Sequence, residues 1–147
     1  MLVQCNTGLT QISAEHFFDP RREVEVRRLI DTRLKPGGQL SGFAKGADLA
    51  WFLRVLNDCD YVHEPRLAPT ADILADYRKD HRWDRYVVRF DALMDERGIA
   101  SILDRAELAT TPSCLLCSEH LPTQCHRRLV AERVGAEWQE FEVRHLT

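Results

Sequence analysis

Two thiols, two imidazoles, a carboxylate and two guanidinium groups fall within the stretch Cys117-Ser-Glu-His-Leu-Pro-Thr-Gln-Cys125-His-Arg-Arg128. These residue types support three chemistries. In the first, Cys117 or Cys125 is a thiolate nucleophile, Glu119 and His126 are acid/base or orienting groups, and Arg127 holds an anion. In the second, Cys117, His120, Cys125 and His126 bind zinc. The Cys-x2-His spacing suits a zinc site, but neighbours such as Cys125 and His126 diverge by about 100° on a helix. In the third, a helix N-terminus and Arg127 bind a phosphate, a nucleotide or a nucleic-acid end, with help from Asp31 and Arg33. A plain packing alternative stands beside all three. There the cysteines fill space, His126 is a hydrogen-bonded core histidine, and Arg127 pairs with Asp31 or Glu119.

Several familiar motifs are excluded by spacing. Neither Cys117 nor Cys125 has an arginine six positions on, so the phosphatase loop Cys-x5-Arg is not present. Cys114 and Cys117 have the spacing of a redox pair, but within an apolar strand their side chains point to different sides. The loop Pro36-Gly-Gly-Gln-Leu-Ser-Gly-Phe-Ala-Lys-Gly46 lacks the Gly-Lys-[Ser/Thr] ending of a P-loop and the dinucleotide-binding pattern. Its composition suits a lid, with Lys35 or Lys45 available to a ligand.

The elements around these residues alternate strand and helix. Leu2–Thr7, the second half of Val24–Leu34, Asp60–His63, Cys114–Cys117 and Phe141–Leu146 read as strands. Helices are expected from Ser13, over Asp48–Leu56, from the Thr70 cap over Ala71–Tyr77, over Trp83–Arg97 with Gly98 as its stop, and over Gln124–Val134. The stripe Tyr86, Val87, Phe90, Leu93 and Met94 is read as core. This order predicts an α/β chain: one domain with a mainly parallel central sheet of about 4–5 strands flanked by helices, Rossmann-like and three-layered.

In such sheets ligands bind beyond the carboxyl ends of the strands. That rule selects Asp31 and Arg33 after one strand, and Cys117 and Glu119 after another. Members of each pair are two residues apart and share a side. His63-Glu64-Pro65 ends a third strand, where it can supply a general base or merely cap. With Thr123 as N-cap, Cys125 and His126 fall in the first turn of the last helix, where the positive end lowers a thiol pKa. On a helical wheel Leu129, Val130 and Val134 define the buried face with His126 in its middle. Cys125 and Arg127 lie towards its edges, and Arg128 and Glu132 form an outward i, i+4 pair.

The bulk properties fit this picture. The chain has 147 residues, 44% hydrophobic and 29% charged, with a formal net charge of −3. That balance argues against wholesale electrostatic binding of nucleic acid, although clustered arginines (Arg21, Arg22, Arg27, Arg28, Arg127, Arg128) keep a local contact open. No apolar run approaches the roughly 20 residues of a spanning helix, and the start lacks a signal-peptide pattern, so a cytoplasmic protein with no membrane contact is expected. Five cysteines, an odd number, speak against a disulfide framework. Cys5, Cys59 and Cys114 read as small buried hydrophobes.

Two stretches carry a family resemblance: Leu29-Ile-Asp-Thr-Arg33 with Pro36–Lys45, and Cys114-Leu-Leu-Cys-Ser-Glu-His-Leu-Pro-Thr-Gln-Cys-His-Arg-Arg-Leu-Val-Ala131. With Tyr61-Val-His-Glu-Pro-Arg-Leu-Ala68 they resemble the bacterial and archaeal domain-of-unknown-function family 488. The resemblance implies an α/β fold. It carries Asp31 and Arg33 onto the family's Asp-x-Arg position, and Cys117, Glu119, Cys125, His126 and Arg127 onto its C-terminal motif. The start departs from the family's Thr-Ile-Gly-His-Ser, reading Cys5-Asn-Thr-Gly-Leu, and neither Asn6 nor Thr7 replaces that histidine as a base. The family brings no established activity. The residues therefore lead to an expected enzyme for a small anionic, nucleotide-related substrate at the sheet's carboxyl edge. The alternative is a non-catalytic binding domain, stabilised by zinc or associated with nucleic acid.

Overall fold

The computed structural model describes residues 2–5, 26–34, 45–116, 126–137 and 143–146. Five strands, β1 (Leu2–Cys5), β2 (Arg28–Asp31), β3 (Asp60–His63), β4 (Ser113–Leu116) and β5 (Val143–Leu146), form one sheet in the order β3-β2-β4-β1-β5. Every adjacent pair is parallel. The α/β class and the five-strand sheet agree with the sequence reading. β4 begins one residue earlier than expected, at Ser113, and Cys117 lies outside the described residues.

Parallel strands need crossovers. Helix α1 (Gly46–Asn57) joins β2 to β3, and α6 (His126–Glu137) lies between β4 and β5. The long return from β3 to β4 carries a single 3-10 turn (Pro65–Leu67), α2 (Ala71–Asp80), α3 (Trp83–Arg97), and the short α4 (Ile99–Ile102) and α5 (Arg105–Thr110). The boundaries follow local chemistry. Thr70 Oγ1 accepts from the Ile73 N–H, and α3 stops at Gly98, whose φ of 65° a side chain rarely tolerates. Asp104 caps α5 by accepting from the Glu107 N–H at 3.1 Å. The spacing Asp104-x-x-Glu107 is a helix-start signal that the sequence reading passed over, and a six-residue helix has too few turns to show periodicity.

Both faces of the neighbouring strands β2 and β4 are buried, as a parallel sheet favours. Ile30 and Leu115 join one cluster with Tyr86, Phe90 and Met94 of α3, Leu129, Val130 and Val134 of α6, and Ile99, Leu103 and Leu108. The alternate residues Leu29, Cys114 and Leu116 are equally inaccessible on the other face. On α1, Leu49 and Leu53 are buried, and the helix packs on β3. The α3 stripe is thus core, with Trp83 stacked on Tyr86 at 4.8 Å. The wheel for α6 also holds: Leu129, Val130, Val134 and His126 are buried, and Arg128 reaches Glu132 at 3.0 Å. The expected helix from Ser13, the Gly-rich loop before Lys45 and the Thr123 cap lie outside the described residues.

Cys59 is buried, as expected. Cys114 is also buried, but its sulfur is disulfide-bonded to a partner outside the described side chains. Burial alone was readable there; a cross-link depends on chain crossings that spacing does not reveal.

Phe90 is wholly buried where α3 meets α6, whereas Val88, on the same helix, is 69% exposed. Phe90→Ala should cost about 3–5 kcal/mol in denaturant unfolding, and Val88→Ala should stay within about 0.5 kcal/mol. Similar losses in both variants would contradict this packing.

Candidate functional site

The carboxyl ends of β2 and β4 are joined by Thr32. Its backbone N–H donates to the Leu116 carbonyl at 2.8 Å, and its hydroxyl donates to the same oxygen at 2.6 Å. The first residue of α6 closes the arrangement: His126 Nε2 lies 2.9 Å from the Thr32 carbonyl oxygen and 3.0 Å from its hydroxyl. A carbonyl can only accept, so Nε2 carries the proton and donates. The Thr32 hydroxyl, already donating to Leu116, accepts from the same N–H. Phe90 holds the ring edge-on with centroids 5.9 Å apart. His126 is 6% exposed, so its bond operates largely out of water.

Alternation along β2 sends its next neighbours the other way. Asp31 and Arg33 lie on the face opposite Thr32, with Tyr61 and His63 of β3 beside them in register. Arg33 grips Asp31 through two side-chain bonds, Nε at 2.9 Å and Nη2 at 2.7 Å, while the Arg33 backbone N–H reaches Asp31 Oδ1 at 3.1 Å. Asp31 is fully buried and Arg33 nearly so. Tyr61 adds its hydroxyl to Asp31 Oδ2 at 2.6 Å. His63 Nε2 donates to the Arg33 carbonyl at 2.8 Å and so fixes the chain leaving β2. A buried ion pair is costly to dehydrate and tolerable only when its remaining lone pairs are satisfied, as they are here.

The predicted site is therefore divided between two faces. Asp31 and Arg33 share a side, as their spacing required, but they pair with each other. His126 points inward as expected, yet it meets Thr32 and not the Asp31/Arg33 face. The physical reason is the two-residue period of the strand, which puts position 32 opposite positions 31 and 33. Cys117, Glu119, His120 and Cys125 lie outside the described residues. Arg127 is the second residue of α6, and its side chain is not described. Lys45 is exposed at the start of α1. Glu64 caps the 3-10 turn and pairs with Arg66 at 2.7 Å. Hydrogen bonding from Arg66 holds its carboxyl below the ordinary range, against the opposing effect of partial burial.

A family model for the domain of unknown function DUF488 matches residues 13–134. The chain belongs to the DUF488 family. No curated protein and no solved structure matches it. In this DUF488 chain Thr32 and Tyr61 join the two hydrogen-bonded networks, although motif reading did not select them. Thr32 sits between the two residues of the Asp-x-Arg motif, and Tyr61 is two residues before His63 on the same strand side. No helix among the described residues is long and apolar enough to cross a membrane.

Burial raises the Tyr61 phenol well above its ordinary range, assisted by the bond to Asp31 and that residue's negative charge, with Arg33 opposing. A proton held more tightly in the folded state stabilises the fold fully below the unfolded value of about 10, and this contribution is lost as pH rises beyond it. The DUF488 protein should therefore lose stability on going above about pH 10 more steeply than Tyr61→Phe does, measured by urea unfolding at a series of pH values. Parallel curves for the two proteins would remove Tyr61 as the responsible group.

Proposed function

We propose that this protein is an enzyme for a small anionic substrate, in the nucleotide or phosphate-ester class, bound between the carboxyl ends of β2 and β4. One observation carries the reading. The chain leaves β2 towards β3 on one side and leaves β4 towards β5 on the other, so the outgoing connections diverge between these neighbouring strands. Open parallel sheets bind their ligands at such a divergence. The same place holds Thr32 and the start of α6, whose positive end favours anions.

Covalent continuity supports the thiols as participants. Cys117 directly follows Leu116, and Cys125 directly precedes His126; Leu116 and His126 are the two residues that bind Thr32. In the proposed roles Cys117 or Cys125 is the nucleophile, Glu119 is the acid/base and Arg127 holds the anion, while Arg33, committed to Asp31 on the other face, fixes the chain leaving β2. For His126, the bond from Nε2 to Thr32 supports the orienting role. The anion would lie against the helix start, whose positive end also lowers the pKa of a nearby thiol.

The test is iodoacetamide labelling of the reduced protein across pH, read residue by residue by mass spectrometry. Cys117 or Cys125 should react well below the ordinary thiol range near about 8.5, and inorganic phosphate should slow that labelling. Reaction of both cysteines only near or above about 8.5 would refute the nucleophile. Rapid labelling that phosphate leaves unchanged would refute the anion site.

A further inference from the structure

We infer that the outer edge of β3 is a docking site for an extended, basic peptide that adds to the sheet as a further strand. It uses the outward backbone groups of Tyr61 and His63, whose side chains bond Asp31 and the Arg33 carbonyl. β3 ends the sheet, with β2 as its strand partner on one side and none on the other among the described residues. The Asp60 N–H bonds to the Arg27 carbonyl and the Glu64 N–H to the Asp31 carbonyl, so residues 60, 62 and 64 direct their backbone groups inward. By alternation Tyr61 and His63 direct theirs outward, where an added strand can pair with them. Such addition draws its affinity from main-chain bonds and its selectivity from pockets for alternate side chains.

A pocket of that kind lies beside the edge. Val62 is 40% exposed and shares a groove of about 310 Å³ with Ile30, Ile102, Leu103 and Leu108. That volume is at the small end of ligand sites, about 300–1,000 Å³, and suits one or two side chains better than a large cofactor. Glu64, Asp104 and Glu107 also line it with Arg28; Arg28 pairs with Glu107 at 2.9 Å and Glu64 with Arg66 at 2.7 Å, so Asp104 adds negative charge beyond these two pairs. Asp60 adds a further exposed carboxylate at the start of the strand. The surplus is acidic, and it selects an occupant with an apolar residue next to Lys or Arg.

The same charges count against a second copy of this chain. Antiparallel self-pairing centred on Val62 would set Asp60 opposite Glu64, and like charges directly opposed are destabilising. A basic peptide converts that repulsion into attraction.

The test is selection of short linear random peptides displayed on phage against the intact protein, followed by amide hydrogen exchange of the complex. Enrichment of peptides alternating apolar and basic residues is expected, with slowed exchange at Tyr61 and His63. Affinity should fall roughly tenfold in Glu107→Lys, equivalent to about 1.4 kcal/mol, and should also fall in Val62→Lys, with circular dichroism confirming that both variants fold. Failure to enrich any sequence, enrichment of acidic peptides, or protection confined to other residues would overturn the proposal. Protection of Tyr61 and His63 that appears without peptide and grows with protein concentration would instead show self-pairing and overturn it too.

Discussion

Three separate chain segments meet at one side chain. The Thr32 hydroxyl gives its proton to the carbonyl that ends β4 and accepts from the imidazole that begins α6, while the Thr32 backbone bonds to both. Each group is buried, so each would cost about 1–3 kcal/mol if left without its partner. The donor and acceptor pattern also closes in only one sense, because two of the three oxygens are carbonyls that cannot donate. This arrangement holds the last residue of β4 and the first of α6 against β2, and with them the chain on either side of the Cys117–Cys125 segment.

A second constraint acts on the opposite face. Asp31 is removed from water and hydrogen-bonded by Arg33 and Tyr61, while His63 holds the Arg33 carbonyl. Removing one member of such a pair leaves an uncompensated charge and typically costs about 3–5 kcal/mol. A hydrophobic pair would dehydrate at lower cost, which gives the ionic pair meaning beyond packing. It fixes the Arg33 side chain and the chain leaving β2 at the carboxyl edge. The two faces are thus coupled through three consecutive residues, with Thr32 serving the α6 side and Asp31 and Arg33 serving the β3 side.

Much of this was legible in the sequence because it follows from periodicity. The α6 wheel placed His126 among Leu129, Val130 and Val134, and helix geometry leaves little freedom there. The spacing of Asp31 and Arg33 placed them on one side. What could not be read is which partner each side chain takes. Thr32 looked like a spacer within Asp-x-Arg, although in a buried strand the middle residue must face something on the other side. Tyr61 lay in a short strand whose four residues give only two turns of the alternation. The short α4 and α5 were hidden by their length, and the Cys114 cross-link by its dependence on tertiary crossings.

The most direct test of the junction is a double-mutant cycle on Thr32→Val and His126→Phe, each measured by urea unfolding. If Thr32 and His126 form one hydrogen-bonded unit, the double variant should lose less than the sum of the singles, with a coupling of about 0.5–3 kcal/mol. Losses that add within about 0.3–0.5 kcal/mol would contradict the account, because the residues would then be acting independently.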